Sequence, residues 1–398
     1  MTDLPVEFEH VLGIRRLPHS ALSIDDVLAQ NGIPRTMVQV YLVQGEALTP
    51  VPSWTPLSEI AEDVERILVR AVRNTLFETV LPWSEAAALP GGIGSGFLGL
   101  DIDTEGRAVP RGTVLDEEAA KTLVSKQVSS FLAEHYVAHH GCVFGVSGGG
   151  DSNALAFGLA AVLPPDRLTA FTLVFRDVMT RAAADRATVL CQELGIDHRV
   201  YTEDEITGLL GLSTSVNELY SDFRGAFGQE ALHFFGTFLI LRSARIIGRE
   251  KNFSDLAFGY NREDLLAELL FMLMNGRAPL PYPVRRIGEQ RIIMPVWRAP
   301  KLLLDACHPT FSLENYRERD PHTTRQRSLA FYLGHSLDST YPNFGLSLLE
   351  GSSQAFAGHF GKLTHHPELN VFVTEDANPE RIQRVADVLR RHFPEESA

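Results

Sequence analysis

The chain has 398 residues, 44% of them hydrophobic and 22% charged, with a formal net charge of -14. That length predicts two or three domains, and no apolar stretch reaches the roughly 18 residues a membrane span needs. The acidic balance speaks against a dedicated nucleic-acid binder, although a local basic patch would fit within it. Three scattered cysteines, Cys142, Cys191 and Cys307, exclude a disulfide framework or a zinc ribbon, so the expected location is a reducing cytoplasm.

The opening MTDLPVEFEH lacks the basic start and apolar run of a secretory signal. Residues 1–88 read as a small α+β domain. VLGIRRL and MVQVYLVQG predict strands, and ILVRAVRNTLFETVL a further one, from their β-branched and apolar content. Between the first two, SIDDVLAQNGI predicts a helix with Ser23 as N-cap, acids in the first turn and Gly32 near the end. Strand, helix, strand, strand in this order resembles a ubiquitin-like β-grasp. Residues 89–114 are dense in Gly and Pro and predict a linker with one hairpin. Gly91-Gly92 resembles a sulfur-carrier tail, but that chemistry needs a free terminal carboxylate and this pair is internal.

From Leu115 the texture changes. EEAAKTLVSKQVSSFLAEHY predicts an amphipathic helix and CVFGV a short buried strand. NALAFGLAAVL, LTAFTLVF, RAAADRATVLCQELG and HRVYTE then alternate helix and strand. LHFFGTFLILRSARIIG, DLAFGYN and EDLLAELLFMLMNG continue the alternation. This order predicts an α/β domain over residues 115–300, with a parallel sheet of about five strands and helices on both faces. Residues 301–398 read as a mainly helical C-terminal region, with LNVFVTE as a late strand.

The chemistry concentrates in VFGVSGGGDS, where a buried strand ends in a glycine turn that opens a helix. Glycines let backbone N–H groups converge, and the helix N-terminus adds partial positive charge, which together suit a phosphate. No GK[ST] follows and no GxGxxG is present, so neither the Walker A loop nor the dinucleotide fingerprint fits. Ser147, Gly148, Gly149, Gly150, Asp151 and Ser152 instead resemble the SGGxDS loop of the PP-loop ATP pyrophosphatases, which have an adenine nucleotide alpha-hydrolase-like fold. These enzymes split ATP between its α- and β-phosphates, adenylate a carbonyl oxygen and let a nucleophile displace AMP.

Two further stretches carry the resemblance. Gly259, Tyr260, Asn261, Arg262, Glu263 and Asp264, with Arg242 and Arg245 upstream, resemble the G-H-[NH]-x-D-D region of the tRNA-thiolating members. Taken alone, YNRED also reads as an ordinary loop and helix cap. IIMPVWRAPKLLL resembles their R-P-L-x-x-x-x-K segment through Pro295 and Lys301, with Met294 where arginine is common. Lys301 then contacts a phosphate or the activated substrate, or else is a solvated lysine at a helix start. YPNFGLSLLEG resembles the stretch that closes the catalytic region, so the likeness spans about 115–355.

The chain also departs from that family. GQEALHFFGTFLILR lacks the paired cysteines of many thiolating members, and cluster ligands must be thiolates at set positions. Cys142 and Cys191 read as core, which leaves Cys307, beside His308, as the one candidate sulfur relay. Tyr260 replaces the family histidine and Glu263 its first aspartate. The resemblance implies ATP and Mg²⁺ as cofactors. It assigns Ser147, Gly148, Gly149, Gly150, Asp151, Ser152, Gly259 and Asn261 to the nucleotide, Asp151 and Asp264 to the metal, and Asp151, Lys301 and Cys307 to catalysis. The end of LTAFTLVFRD is implied to bind adenine and ribose by backbone contacts. The expected enzyme is an AMP-forming ligase or sulfurtransferase acting on a small molecule, with an external amine or sulfur donor. A tRNA substrate is disfavoured, a non-catalytic nucleotide sensor is the rival reading, and a homodimer is compatible with the sequence.

Overall fold

The computed structural model describes residues 4–10, 13–19, 23–31, 33, 38–51, 53, 55–71, 95–102, 108–115, 117–135, 141–176, 180–228, 231–308, 311–312, 325–340, 344–366 and 371–393. Gly91-Gly92 and all of RNTLFETVL lie outside them.

The first sheet has five strands: β1 (Val6–His10), β2 (Gly13–Leu17), β3 (Val38–Gln44), β4 (Ala47–Val51) and β5 (Arg66–Ala71). Their order is β2-β1-β5-β3-β4, with β1 parallel to β5 and the other pairs antiparallel. This is the β-grasp order. Helix α1 (Ile24–Gln30) crosses the sheet and buries Ile24, Val27 and Leu28 against Val6, Phe8, Val40, Ile67 and Val69. Period-two alternation explains the choice of face, since Ile67 and Val69 of β5 point to the helix while Leu68 joins Tyr41 and Val43 on the other side. Ser23 caps α1 as expected. Its hydroxyl accepts the Asp26 amide at 3.2 Å, and the Asp26 carboxylate accepts the Ser23 amide at 3.1 Å. Strands β1 and β4 go beyond the strands expected here, because acidic and proline residues interrupt their apolar pattern.

Within the Gly/Pro-rich segment, β6 (Ser95–Ile102) and β7 (Ala108–Leu115) pair antiparallel from Ser95↔Leu115 to Ile102↔Ala108. Helix α2 (Glu117–His135) leads into the second sheet.

That sheet has six strands in the order β10-β9-β8-β11-β13-β12. They are β8 (Cys142–Gly145), β9 (Leu168–Leu173), β10 (Asp197–Tyr201), β11 (Asp255–Ala257), β12 (Val284–Ile287) and β13 (Gln290–Ile293). Five run parallel and β12 closes the edge antiparallel to β13. The connecting helices are α3 (Gly150–Ala160), α4 (Arg181–Glu193), α5 (Glu203–Leu210), α6 (Val216–Phe227), α7 (Ala231–Glu250) and α8 (Arg262–Met274). Helices α5 and α6 and the β12–β13 hairpin go beyond the elements expected from the sequence. From β8 the chain winds outward through β9 to β10, then returns to place β11 on the other side of β8. The crevice between β8 and β11 is therefore a topological switch point, where open α/β sheets bind ligands.

One buried ion pair ties the sheet together. Asp255 has no exposed surface, and Arg291, its register partner on β13, reaches it through Nε at 2.7 Å and a terminal nitrogen at 2.9 Å. Removing one partner strands a buried charge, so Arg291→Met is expected to cost roughly 3–5 kcal/mol in urea denaturation. A cost under about 1 kcal/mol would show that the pair is dispensable.

Beyond Pro300 the described chain holds α9 (Lys301–Ala306), α10 (Arg325–Thr340), α11 (Phe344–Ala355) and α12 (Pro379–Leu389), plus a two-stranded sheet of β14 (Leu363–His366) and β15 (Val371–Thr374). The last strand lies within the expected LNVFVTE. Among the described residues, no helix is long and apolar enough to cross a membrane.

Candidate functional site

The loop between β8 and α3 is held open by its own side chains. The Ser152 hydroxyl accepts the Ser147 amide at 3.0 Å, lies 3.1 Å from the Ser147 hydroxyl, and donates to the Gly149 carbonyl at 3.1 Å. Ser152 is buried and Ser147 is exposed, so the second serine braces the turn and the first faces outward. Gly149 is the N-cap of α3 and supplies no side-chain cap, which leaves the amides of the first turn available to an anion.

Two glycines are there for space. Gly148 has φ +71°, and a Cβ on it would lie 2.3 Å from the Ala183 carbonyl oxygen of α4. The Gly148 carbonyl in turn accepts Nε of the buried Arg186 at 3.3 Å. A Cβ on Gly150 would lie 2.3 Å from Oδ1 of Asp305. Neither Arg186 nor Asp305 belongs to a motif, so neither stands out in the sequence.

Asp151, in the first turn of α3, is held from two sides. The Asn261 amide donates to its Oδ1 at 3.1 Å and the Lys301 ammonium donates to the same oxygen at 2.9 Å. Lys301 also donates to Oδ1 of Asp305 at 2.8 Å, and its backbone amide donates to the Glu263 carboxylate at 2.9 Å. Lys301 is only 3% exposed, which rules out the solvated helix-start reading. Asn261 serves two roles at once. Its Oδ1 caps α8 by accepting the Asp264 amide at 2.8 Å, while the Asp264 carboxylate accepts the Asn261 amide at 3.3 Å. The capping reading and the site reading of YNRED thus describe the same residue. Gly259 sits where a Cβ would lie 3.1 Å from the Asp151 carbonyl, so it permits the close approach of the two loops.

Cys307 takes no part in these hydrogen bonds, although Asp305 of the cluster lies near enough to act on its thiol. Cys307 is fully buried against the Leu303 carbonyl, and burial pushes its thiol up to about 12. A thiol held neutral is a poor nucleophile and sulfur carrier. Cys142 and Cys191 are also buried, as core residues should be. Arg242 and Arg245 lie on α7 toward the C-terminal segment, 4.1 Å from the Phe393 ring and 4.7 Å from the Phe372 ring. Burial and the neighbouring Arg245 push Arg242 down to about 10.

A magnesium ion has partial support in these residues. Among the described residues, no group of three or more His, Cys, Asp or Glu could hold a metal ion. Mg²⁺, however, is usually held by one or two carboxylates together with substrate phosphates. Asp151 fits that role, because both its hydrogen bonds fall on Oδ1. Asp264 already uses its carboxylate in the capping box.

No protein-family model matches the chain, and no curated protein does. Among solved structures the chain is similar to the U34-tRNA thiolase NcsA from Methanococcus maripaludis with its 4Fe-4S cluster, at 17% identity and a TM-score of 0.52, covering 69% of this chain and 90% of that one. It also matches an NH3-dependent NAD synthetase from Campylobacter jejuni in complex with the nitrate ion, at 16% identity and a TM-score of 0.36, over 63% and 100% of the two chains. A third match is the NMN synthetase from Francisella tularensis, at 15% identity and a TM-score of 0.34, over 70% and 94%. The likeness to the thiolase is one of fold, and it agrees with the fold expected from the glycine loop.

Proposed function

We propose that this chain, which carries the PP-loop ATP pyrophosphatase fold, uses ATP to adenylate a carbonyl oxygen of a small molecule and releases pyrophosphate. An amine or sulfur nucleophile from an external donor then displaces AMP. The observation that carries the reading is the uncapped N-terminus of α3 at the switch point, with Asp151 fixed there by Lys301 and Asn261. In this reading the amides of the glycine turn and the Ser147 hydroxyl receive the phosphates. The Lys301 cluster joins two carboxylates to one ammonium. A Mg²⁺ that arrives with the nucleotide would be held at Asp151. That ion would supply charge neutralisation at the phosphates. Asp151, Asn261 and Lys301 supply positioning, because each is locked by the next.

The buried Cys307 has no place in this proposal, and no described cysteine is exposed. If sulfur is transferred, it comes from outside. Pyrophosphate release with candidate carboxylates, amides and nucleobases tests the reading. Asp151→Ala is expected to lower release at least ~100-fold while circular dichroism stays unchanged. Nucleotide binding without turnover on any acceptor would favour the sensor instead. The tRNA reading is tested by a shift assay, in which submicromolar, salt-sensitive binding would displace the small-molecule assignment.

A further inference from the structure

Arg176 is a non-glycine residue at φ +49°, three positions beyond Leu173, the carboxyl end of β9. L side chains rarely adopt that backbone, and where they do the surroundings over-determine it. Here both ends of the residue are tied. Its backbone amide donates to Oε1 of Glu203 at 3.1 Å, and its Nε donates to Oδ1 of Asn217 at 2.7 Å. Asn217 is itself fixed by donating to Oε2 of Glu203 at 2.5 Å. The guanidinium lies over the Tyr220 ring, 4.9 Å from its centroid, and that ring packs against Phe175 at 5.5 Å and Phe235 at 5.1 Å.

The guanidinium is therefore held on an aromatic platform by one nitrogen. Arg176 is exposed, and among the described residues its two terminal nitrogens have no hydrogen bond or ion pair. Glu203 is occupied by amide donors. The position is also informative. The segment after β9 leads to Thr180 and Ala183, and Ala183 packs on Gly148 of the glycine loop. Glu203 opens α5 directly after β10, and Asn217 lies in the first turn of α6. Arg176 thus stands on the same carboxyl edge as the loop, on the side away from Lys301.

We infer that Arg176 is an anion receptor that holds a carboxylate or phosphate of the acceptor, so the acceptor is an anionic small molecule. The inference rests on the adenylation reading and deepens it. A guanidinium with its Nε engaged and its terminal nitrogens free presents two parallel donors, the geometry that grips a planar or tetrahedral oxyanion. Immobilisation on Tyr220 removes much of the ordering cost that a free arginine side chain bears on binding. A glycine would adopt φ +49° without strain, so the backbone gains nothing from an arginine here.

The test uses the full chain saturated with the nonhydrolysable analogue AMPCPP and titrated separately with succinate and with inorganic phosphate. Two variants are compared with the parent: Arg176→Gln, and Arg176→Gly, which keeps the backbone relaxed. Saturable binding of at least one probe is expected, weakened at least tenfold in both variants; AMPCPP affinity is expected to hold in Arg176→Gln, because the contacts implied for the end of LTAFTLVFRD with adenine and ribose are made by the backbone and not by this side chain. The better probe separates a carboxylate from a phosphate acceptor. Equal probe binding in parent and variants, or no saturable binding of either probe, overturns the receptor. A matching loss of AMPCPP affinity in the variants reassigns Arg176 to the nucleotide and also overturns it. Failure of the parent to bind AMPCPP would instead count against the adenylation reading itself.

Discussion

Lys301→Met is expected to cost about 3–5 kcal/mol of folding stability in urea denaturation and to abolish pyrophosphate release. The lysine is 3% exposed and Asp305 7% exposed, so the substitution removes the ammonium that pairs with a buried carboxylate. It also releases Asp151, whose Oδ1 keeps only the Asn261 amide. Stability and function are separable with a second substitution. In Lys301→Met combined with Asp305→Leu, a buried ion pair is replaced by apolar groups, which is often neutral or stabilising. That double variant is expected to regain most of the lost stability and none of the activity. Recovery of turnover in it would mean that Lys301 only packs α9 against α3. A stability loss near zero in the single variant would mean that the cluster is not the buried structure described above.

Gly148→Ala is expected to be the most damaging single-atom-scale change in the loop. Its φ of +71° alone costs an L residue about 1–2 kcal/mol. The new Cβ would also meet the Ala183 carbonyl oxygen at 2.3 Å, and that oxygen is backbone, fixed within α4. Overpacking of this kind adds roughly 1–3 kcal/mol. Gly195→Ala provides the control, since Gly195 has φ +68° and a Cβ added there would meet nothing within 4 Å. It should show the backbone strain alone and leave ATP affinity intact. Gly148→Ala should show the larger destabilisation, together with at least a tenfold loss of ATP affinity. Equal stability losses in the two variants would refute the contact between the glycine turn and α4.

Much of this was legible in the residues themselves. The alternation of strands and helices from Leu115 requires a parallel sheet, because short parallel strands can only be joined through crossovers. SGGGDS at the end of an apolar strand marks a candidate anion site, because backbone donors converge only where side chains are absent. Even the Ser23 cap of α1 and the Asn261 cap of α8 follow from side chains that bond locally. The missing elements were those whose signal is weak or mixed, such as β1 with its alternating acids and the charged β12–β13 hairpin.

The partners of each motif residue belong to the tertiary structure. Lys301 lies 150 positions from Asp151 in the chain, and spacing cannot say whether its ammonium is in water or between two carboxylates. Burial decided that, and with it excluded the solvated reading. Cys307 stands beside a histidine in the chain, as a sulfur relay would, but burial pushes its thiol up to about 12. Arg176 looks like any polar residue after a strand, because neither a positive φ nor a supporting Tyr220 leaves a mark in sequence. The sequence by itself determined the fold type and the glycine turn proposed to hold phosphate, since both depend on short-range periodicity and on glycine. Only the tertiary structure decided which charges meet, because electrostatic pairing and desolvation depend on distance in space and not along the chain.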